Sequence, residues 1–226
     1  MEHPTLEMLL FLIGAGFVAA FIDSVVGGGG LISLPALLFT GLPPNLALGT
    51  NKLAGTMSSL TSTVSFFFSG KIDRKLGLRL FPLSFVGSIA GAYTVHLLPS
   101  TFLKPLVIAL LVAVLVYTLV KKDWGSLSTF TGLHGWRIIA VIAGALAIGF
   151  YDGFFGPGAG SFLIFMYLFV GLDFVGASAN SKVLNFSSNL ASLLTFFALG
   201  SVNIWYGLPM GLAMIAGAVC GSQVAI

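Results

Sequence analysis

The sequence predicts an all-α, polytopic transmembrane helical protein with inverted-topology repeats and discontinuous, re-entrant helices. Three observations carry that expectation: a composition too apolar for a water-facing surface, a series of apolar runs of membrane-crossing length, and a self-similarity that repeats one glycine-rich helix break. Of 226 residues, 57% are hydrophobic and only 8% are charged. Soluble domains carry about a quarter charged residues, so too little polar material exists here to clothe a soluble surface. The outer surface is therefore assigned to lipid.

The same numbers exclude other classes. Ten basic and seven acidic residues form no basic stripe, so no nucleic-acid partner is implied. A single cysteine, Cys220, allows neither an internal disulfide nor a thiolate metal cluster, and in its apolar stretch it reads as a small buried hydrophobe. His96 and His134 have no metal-ligand partners at useful spacing, and no zinc-protease, CxxC, nucleophile-elbow or phosphate-loop motif occurs. No cofactor, metal or enzymatic activity is implied. The opening "MEHPTLEMLL" lacks the basic region and cleavage site of a signal peptide, so the run from Leu9 reads as a retained helix.

The runs follow in order. Residues 9–26 make the first crossing, which ends at Asp23 and the four glycines 27–30. Residues 31–39 form only a short helix of ~14 Å, too short to span. After a turn rich in Pro43, Pro44 and Asn45, residues 46–68 cross, and residues 78–98 and 102–120 cross after them. Beyond a connection at 121–137, the run 138–155 ends at Asp152 and "GPGAG", residues 156–160. A second short piece, 162–170, follows, and then the crossings 177–199 and 208–226. Helix breaks beside short helices mark backbone that must lie inside the protein or line a polar cavity, because bare N–H and C=O groups in hydrocarbon are costly.

Loop charge sets the expected orientation. Lys71, Arg74, Lys75 and Arg79 cluster in one connection, and Lys121, Lys122 and Arg137 in another. By the positive-inside rule, both the 71–79 and 121–137 loops are cytoplasmic. Each broken element is then a hairpin, and the two enter from opposite faces. Trp124, Trp136 and Trp205 fall near predicted boundaries, as interfacial anchors do.

An offset of 129 residues places Asp23 on Asp152 and Gly27 on Gly156. An offset of 130 places Gly41 on Gly171, Ala47 on Ala177, Lys52 on Lys182, Gly87 on Gly217 and Gly91 on Gly221. Residues 1–120 read as a first repeat, 121–137 as the connecting loop and 138–226 as a second, inverted repeat. That second repeat has no counterpart for 102–120, which creates the expectation of a missing final helix.

The candidate site lies in the repeated polar motifs. An ionisable residue inside a membrane is by default functional, so Asp23 and Asp152 are candidate proton-coupling groups. A structural alternative pairs Asp23 with Lys52 and Asp152 with Lys182, or bonds each acid locally to glycine N–H groups at its helix end. Gly27, Gly28, Gly29 and Gly30, with Gly156, Gly158 and Gly160, free backbone N–H groups at the start of a short helix and so suit an anion. "ALGTNK" and its match "ASANSK" add Asn51, Lys52, Asn180, Ser181 and Lys182 as donors or a balancing charge, with helix capping and lysine snorkelling as the bland alternative. "GSIAG" and "GAVCG" read as helix-packing faces. The hydroxyls and amides at 58–65 and 185–192 make polar faces that should turn inward.

The stretches "GFVAAFIDSVVGGGGLISLPALLFTGLPPNLALGTNKLAG", "GFYDGFFGPGAGSFLIF" and "ANSKVLNFSSNLASLLTFF" resemble the sulfite exporter TauE/SafE family. The resemblance implies an inner (plasma) membrane permease of two related halves that moves small sulfur-containing anions, in some members coupled to protons. On that reading the partners are a small anion, protons and the lipid bilayer, and alternating access is the expected mechanism. A non-transporting membrane scaffold and an intramembrane aspartyl protease are the rival readings.

Overall fold

A computed structural model describes residues 4–120, 130, 132 and 135–226. His3, Lys121, Lys122, Trp124 and His134 lie outside the described residues, as does most of the 121–137 connection. Among the described residues the chain is all α: α1 Leu6–Val26, α2 Gly30–Phe39, α3 Pro44–Phe68, α4 Arg74–His96, α5 Ser100–Val120, α6 Trp136–Phe154, α7 Ala159–Phe169, α8 Phe174–Ala198 and α9 Ile204–Ala225.

Each helix begins one to four residues before its apolar run, because the first turn is built from capping residues that hydropathy does not register. Asp73 accepts from the N–H groups of Lys75 and Leu76 at 3.0 and 3.1 Å, Asp173 from Gly176 at 3.1 Å, and Asn203 from Trp205 at 3.1 Å. Pro44 occupies the first helical turn of α3, where its missing N–H costs nothing.

Four helices, α1, α4, α6 and α9, are long and apolar enough to cross a membrane. The chain is a polytopic membrane protein. α3 and α8 are longer still, at 25 residues each, but they are the polar helices, and their hydroxyls and amides are buried. Ser58, Ser59 and Ser62 on α3, and Asn185, Ser188, Asn189 and Ser192 on α8, face protein rather than lipid. The exposed surface is apolar, with Leu10, Phe39, Phe68 and Phe169 among its large side chains. Trp136 and Trp205 are exposed at the first turns of α6 and α9, where interfacial anchors belong. Cys220 is exposed on α9, which corrects the expectation of a buried cysteine; the small side chain simply falls on the outward face of its helix.

Packing follows the glycines. α1 packs most closely on α9 and α4 on α6, while α3 and α8 lie against each other and against α9 and α4 respectively. A side chain at Gly87 or Gly91 would strike the α6 backbone near Leu146 and Phe150, and one at Gly217 or Gly221 would strike the α1 backbone at Phe17 and Phe21. Both small-residue motifs are thus helix-packing faces. Two apolar clusters hold the ends: one around Leu34, Leu37, Phe196 and Met210, the other around Leu163, Ile164, Tyr167 and Leu184. α5 lies at the periphery and reaches the second break through Val114 against Gly158, with the Tyr117 ring 5.4 Å from Phe162.

Candidate functional site

The two glycine-rich breaks touch each other. Gly27 has φ +78°, and a Cβ there would lie 2.5 Å from the Ser161 nitrogen, so only glycine admits both the conformation and the approach. A Cβ at Gly30 would lie 2.8 Å from the Pro157 Cα. Ser161 Oγ donates to the Val26 carbonyl at 3.2 Å, and Tyr151 Oη donates to the Pro157 carbonyl at 2.6 Å, which ties each break down.

The charged residues meet at this contact, but in crossed pairs. Lys52 Nζ lies 2.6 Å from Asp152 Oδ1, and the pair is almost wholly buried. Asp152 Oδ2 accepts from Ser188 Oγ. Lys182 Nζ donates to the main-chain carbonyl of Asp23 and stands 3.5 Å from Asp23 Oδ2. The alternative pairings, Asp23 with Lys52 and Asp152 with Lys182, are therefore not formed. Because the two breaks interlock, Lys52 of α3 reaches the acid near the end of α6 and Lys182 of α8 the acid near the end of α1, and Gly156 leaves room: a Cβ there would sit 2.8 Å from Lys52 Nζ. A buried ammonium or carboxylate left alone would cost several kcal/mol, so each pair offsets a large desolvation penalty.

Between the breaks lies a polar cavity of about 40 Å³, lined by Asp23, Gly29, Gly30, Ser33, Asn51, Lys52, Gly55, Ser58, Asp152, Gly156, Gly158, Gly160, Asn185, Asn189 and Met214. That is room for a few waters or one small ion. Two of its lining residues carry a buried atom without a hydrogen-bond partner, Asn51 Oδ1 and Ser58 Oγ. The pairs bring two positive and two negative charges to the cavity region, so its formal charge is zero.

The chain matches the sulfite exporter TauE/SafE family over residues 12–226. It belongs to that family. This TauE/SafE chain is 37% identical over its full length to a probable membrane transporter protein, ORF9, of Sinorhizobium sp, and covers 86% of it. It is 35% identical to a probable membrane transporter protein of Haemophilus influenzae, over 97% of this chain and 84% of that one. It is 36% identical to the probable membrane transporter protein YfcA of Escherichia coli K12, over 99% and 81%. No solved structure matches the chain. The TauE/SafE family and these relatives are described as membrane transporters.

Of the residues singled out from the TauE/SafE sequence, Asp23, Gly29, Gly30, Asn51, Lys52, Asp152, Gly156, Gly158 and Gly160 line the cavity. The rest do not line it. Gly27 forms the contact between the breaks, and Gly28, with φ +88°, stands next to Ser161. Lys182 sits behind Asp23. Asn180 Oδ1 accepts from the Asp73 N–H at 3.0 Å and its Nδ2 donates to the Gly176 carbonyl at 2.8 Å, so it holds the loop before α4. Ser181 Oγ donates to the Ser178 carbonyl at 2.7 Å. Ser33, Gly55, Ser58, Asn185 and Asn189 also line the cavity, although the motifs did not single them out as site residues. A helical signal existed for the last four. Positions 51, 55 and 58, and 182, 185 and 189, fall on one face of α3 and of α8.

Proposed function

We propose that the protein is an inner-membrane permease for small anions, most suitably sulfur oxyanions or organosulfonates, working by alternating access with proton coupling. One observation carries this reading: both glycine breaks, both aspartates and Lys52 line one polar cavity, and two of the lining residues, Asn51 and Ser58, carry a buried atom without a hydrogen-bond partner. A scaffold that used glycine only for packing would have no reason to leave such a space. An aspartyl protease shares one proton between two adjacent carboxylates. Here each aspartate has its own lysine.

In this reading residues 1–120 and 138–226 are two halves related by an inverted two-fold, with α1–α2 and α6–α7 as re-entrant hairpins from opposite faces. Exchange of corresponding contacts supports it. α1 packs on α9 as α6 packs on α4, and Lys52 reaches Asp152 as Lys182 reaches Asp23. Thr50 Oγ1 accepts from the Asn203 N–H at 2.9 Å, as Asn180 accepts from Asp73. The basic residues of 71–79, which open α4, and of 121–137 lie on the cytoplasmic side by their charge. The anion sits between the breaks, held by glycine N–H groups, Asn51 and Lys52, with Lys182 shaping the field from behind. Gly27, Gly28, Asn180 and Ser181 hold the surrounding backbone, and Asp23 or Asp152 carries the proton.

The test is uptake and efflux in proteoliposomes with a panel of sulfite, thiosulfate, sulfoacetate and small carboxylates. Saturable flux of a sulfur anion, weakened in Lys52→Ala, is the expected result. No flux of any anion on the panel would sink the reading.

A further inference from the structure

We infer that Ser58 and Asn51 form the hydrogen-bonding seat of the anion, and that Asp23 takes up one proton as a singly charged anion enters, while Asp152 stays charged against Lys52 and Ser188. This rests on the permease reading above and adds to it the seat, the carrier and the stoichiometry.

The argument starts from unequal use of matched residues. The self-similarity sets Ser58 on Ser188, Lys52 on Lys182 and Asp23 on Asp152, so the two halves have the same chemistry available. They do not use it alike. Both oxygens of Asp152 are engaged, one by Lys52 at 2.6 Å and the other by Ser188. Asp23 Oδ1 accepts from the Gly29 N–H at 3.0 Å, but Oδ2 has only two long contacts, 3.5 Å to Lys182 and 3.5 Å to Asn185 Nδ2. Asp23 also keeps 15% of its side chain accessible, against 3% for Asp152. One carboxylate is locked and the other is open to the cavity.

Ser58, the counterpart of the serine that locks Asp152, is 3% exposed and its hydroxyl has no partner. Asn51, 7% exposed, has one end of its amide unpartnered, and a half-turn of that amide offers NH2 in place of oxygen. Buried polar groups are nearly always hydrogen-bonded, so two bare ones on residues that line the cavity point to a ligand that completes them. The small volume, about 40 Å³, suits a small anion.

Charge then fixes the proton. The charged groups around Asp23 are Lys182 from α8 and, across the cavity, Lys52 from α3 and Asp152 from α6. α2, α7 and α9 carry no charged side chain, and their titratable groups are Tyr167 on α7 and Tyr206 and Cys220 on α9. The four charges sum to zero before an anion arrives. An anion beside an ionised Asp23 places like charges in a poorly solvated site, and such a site responds by neutralising one of them. Asp152 is held by two partners, so the proton goes to Asp23. An O–H bond forms on the entry side and breaks on the exit side, the neutral carboxyl donates to the anion meanwhile, and one monoanion with one proton moves no net charge.

Proteoliposomes loaded with a pH dye, with the membrane potential clamped, test this using radiolabelled sulfite. The wild type is expected to accumulate sulfite down a proton gradient, to take up one proton per hydrogensulfite, and to ignore the potential. Asp23→Asn should lose gradient-driven accumulation at least tenfold, and its sulfite exchange should no longer vary with pH. Asp152→Asn should keep the pH dependence of whatever rate remains. Ser58→Ala should raise KM roughly tenfold, the loss of about one hydrogen bond to a charged group. Wild-type accumulation with an unaltered pH profile in Asp23→Asn overturns the inference while leaving the permease standing, and so does potential-driven flux or an unchanged KM in Ser58→Ala. If Asp23→Asn does not fold, the proton count on the wild type decides, and sulfite uptake without protons overturns the inference. A wild type that moves no anion overturns both readings.

Discussion

Replacing Lys52 by methionine removes the partner of a carboxylate that is 2% exposed, and the crossed pairing makes a quantitative prediction for that loss. Asp152 would keep Ser188 alone. Breaking a buried ion pair by deleting one member costs about 3–5 kcal/mol, because the remaining charge is left without compensation. Lys52→Met is therefore expected to lower stability by that amount, and Lys52→Met/Asp152→Asn to recover most of it. The coupling in that double-mutant cycle should be at least about 2–3 kcal/mol, and larger by whatever Asp152→Asn alone costs. For Lys182→Met with Asp23→Asn it should be near ~1 kcal/mol, since that contact is 3.5 Å long and Asp23 is partly solvated. The assay is reversible SDS unfolding in mixed micelles followed by tryptophan fluorescence. Stronger coupling within a half, for Lys52→Met with Asp23→Asn, than across the halves would refute the pairing and the interlocked breaks with it.

Gly27→Ala combines φ +78° with a Cβ 2.5 Å from the Ser161 nitrogen and should cost roughly 3 kcal/mol or more, whereas Gly70→Ala, with φ +73° and open space, should cost only about 1 kcal/mol. Similar losses at both sites in the same unfolding assay would mean that the breaks do not touch. Asn180→Ala should lower stability by about 1 kcal/mol through its lost bond to the Asp73 N–H and leave the anion KM unchanged. A raised KM without destabilisation would return Asn180 to the binding site. In a Cys220→Ser background, Lys71→Cys and Pro99→Cys should react with an impermeant maleimide from opposite sides of the membrane, the first only in inverted vesicles. Labelling of both from one side would contradict the orientation read from loop charge.

The one-dimensional signals that survived folding are those set by neighbours along the chain. Helix breaks followed from glycine runs, lipid-facing spans from apolar runs, and the inward turn of α3 and α8 from their hydroxyl and amide faces, because period and composition are local properties. The repeat placed Lys52 on Lys182 and Asp23 on Asp152 as equivalents, and the packing glycines 87, 91, 217 and 221 fell where the motifs put them. Which acid each lysine meets was beyond reach of the chain's order. That depended on the breaks passing each other at the centre, and the offset that makes the two halves alike says nothing of whether a contact lies within one half or between them. The division of "ASANSK" and "ALGTNK" into cavity and scaffold was equally hidden: Asn51 faces the cavity while Asn180 and Ser181 hold backbone. Helical phase alone could not settle this, since the choice rests on which neighbour packs over each face. Chain order and composition were enough to bury matched acids, lysines and glycines in a membrane protein. That they cross, that one carboxylate is locked and the other open, and that Ser58 is left without a partner came from long-range packing, which distributes a shared set of hydrogen-bonding groups among competing neighbours.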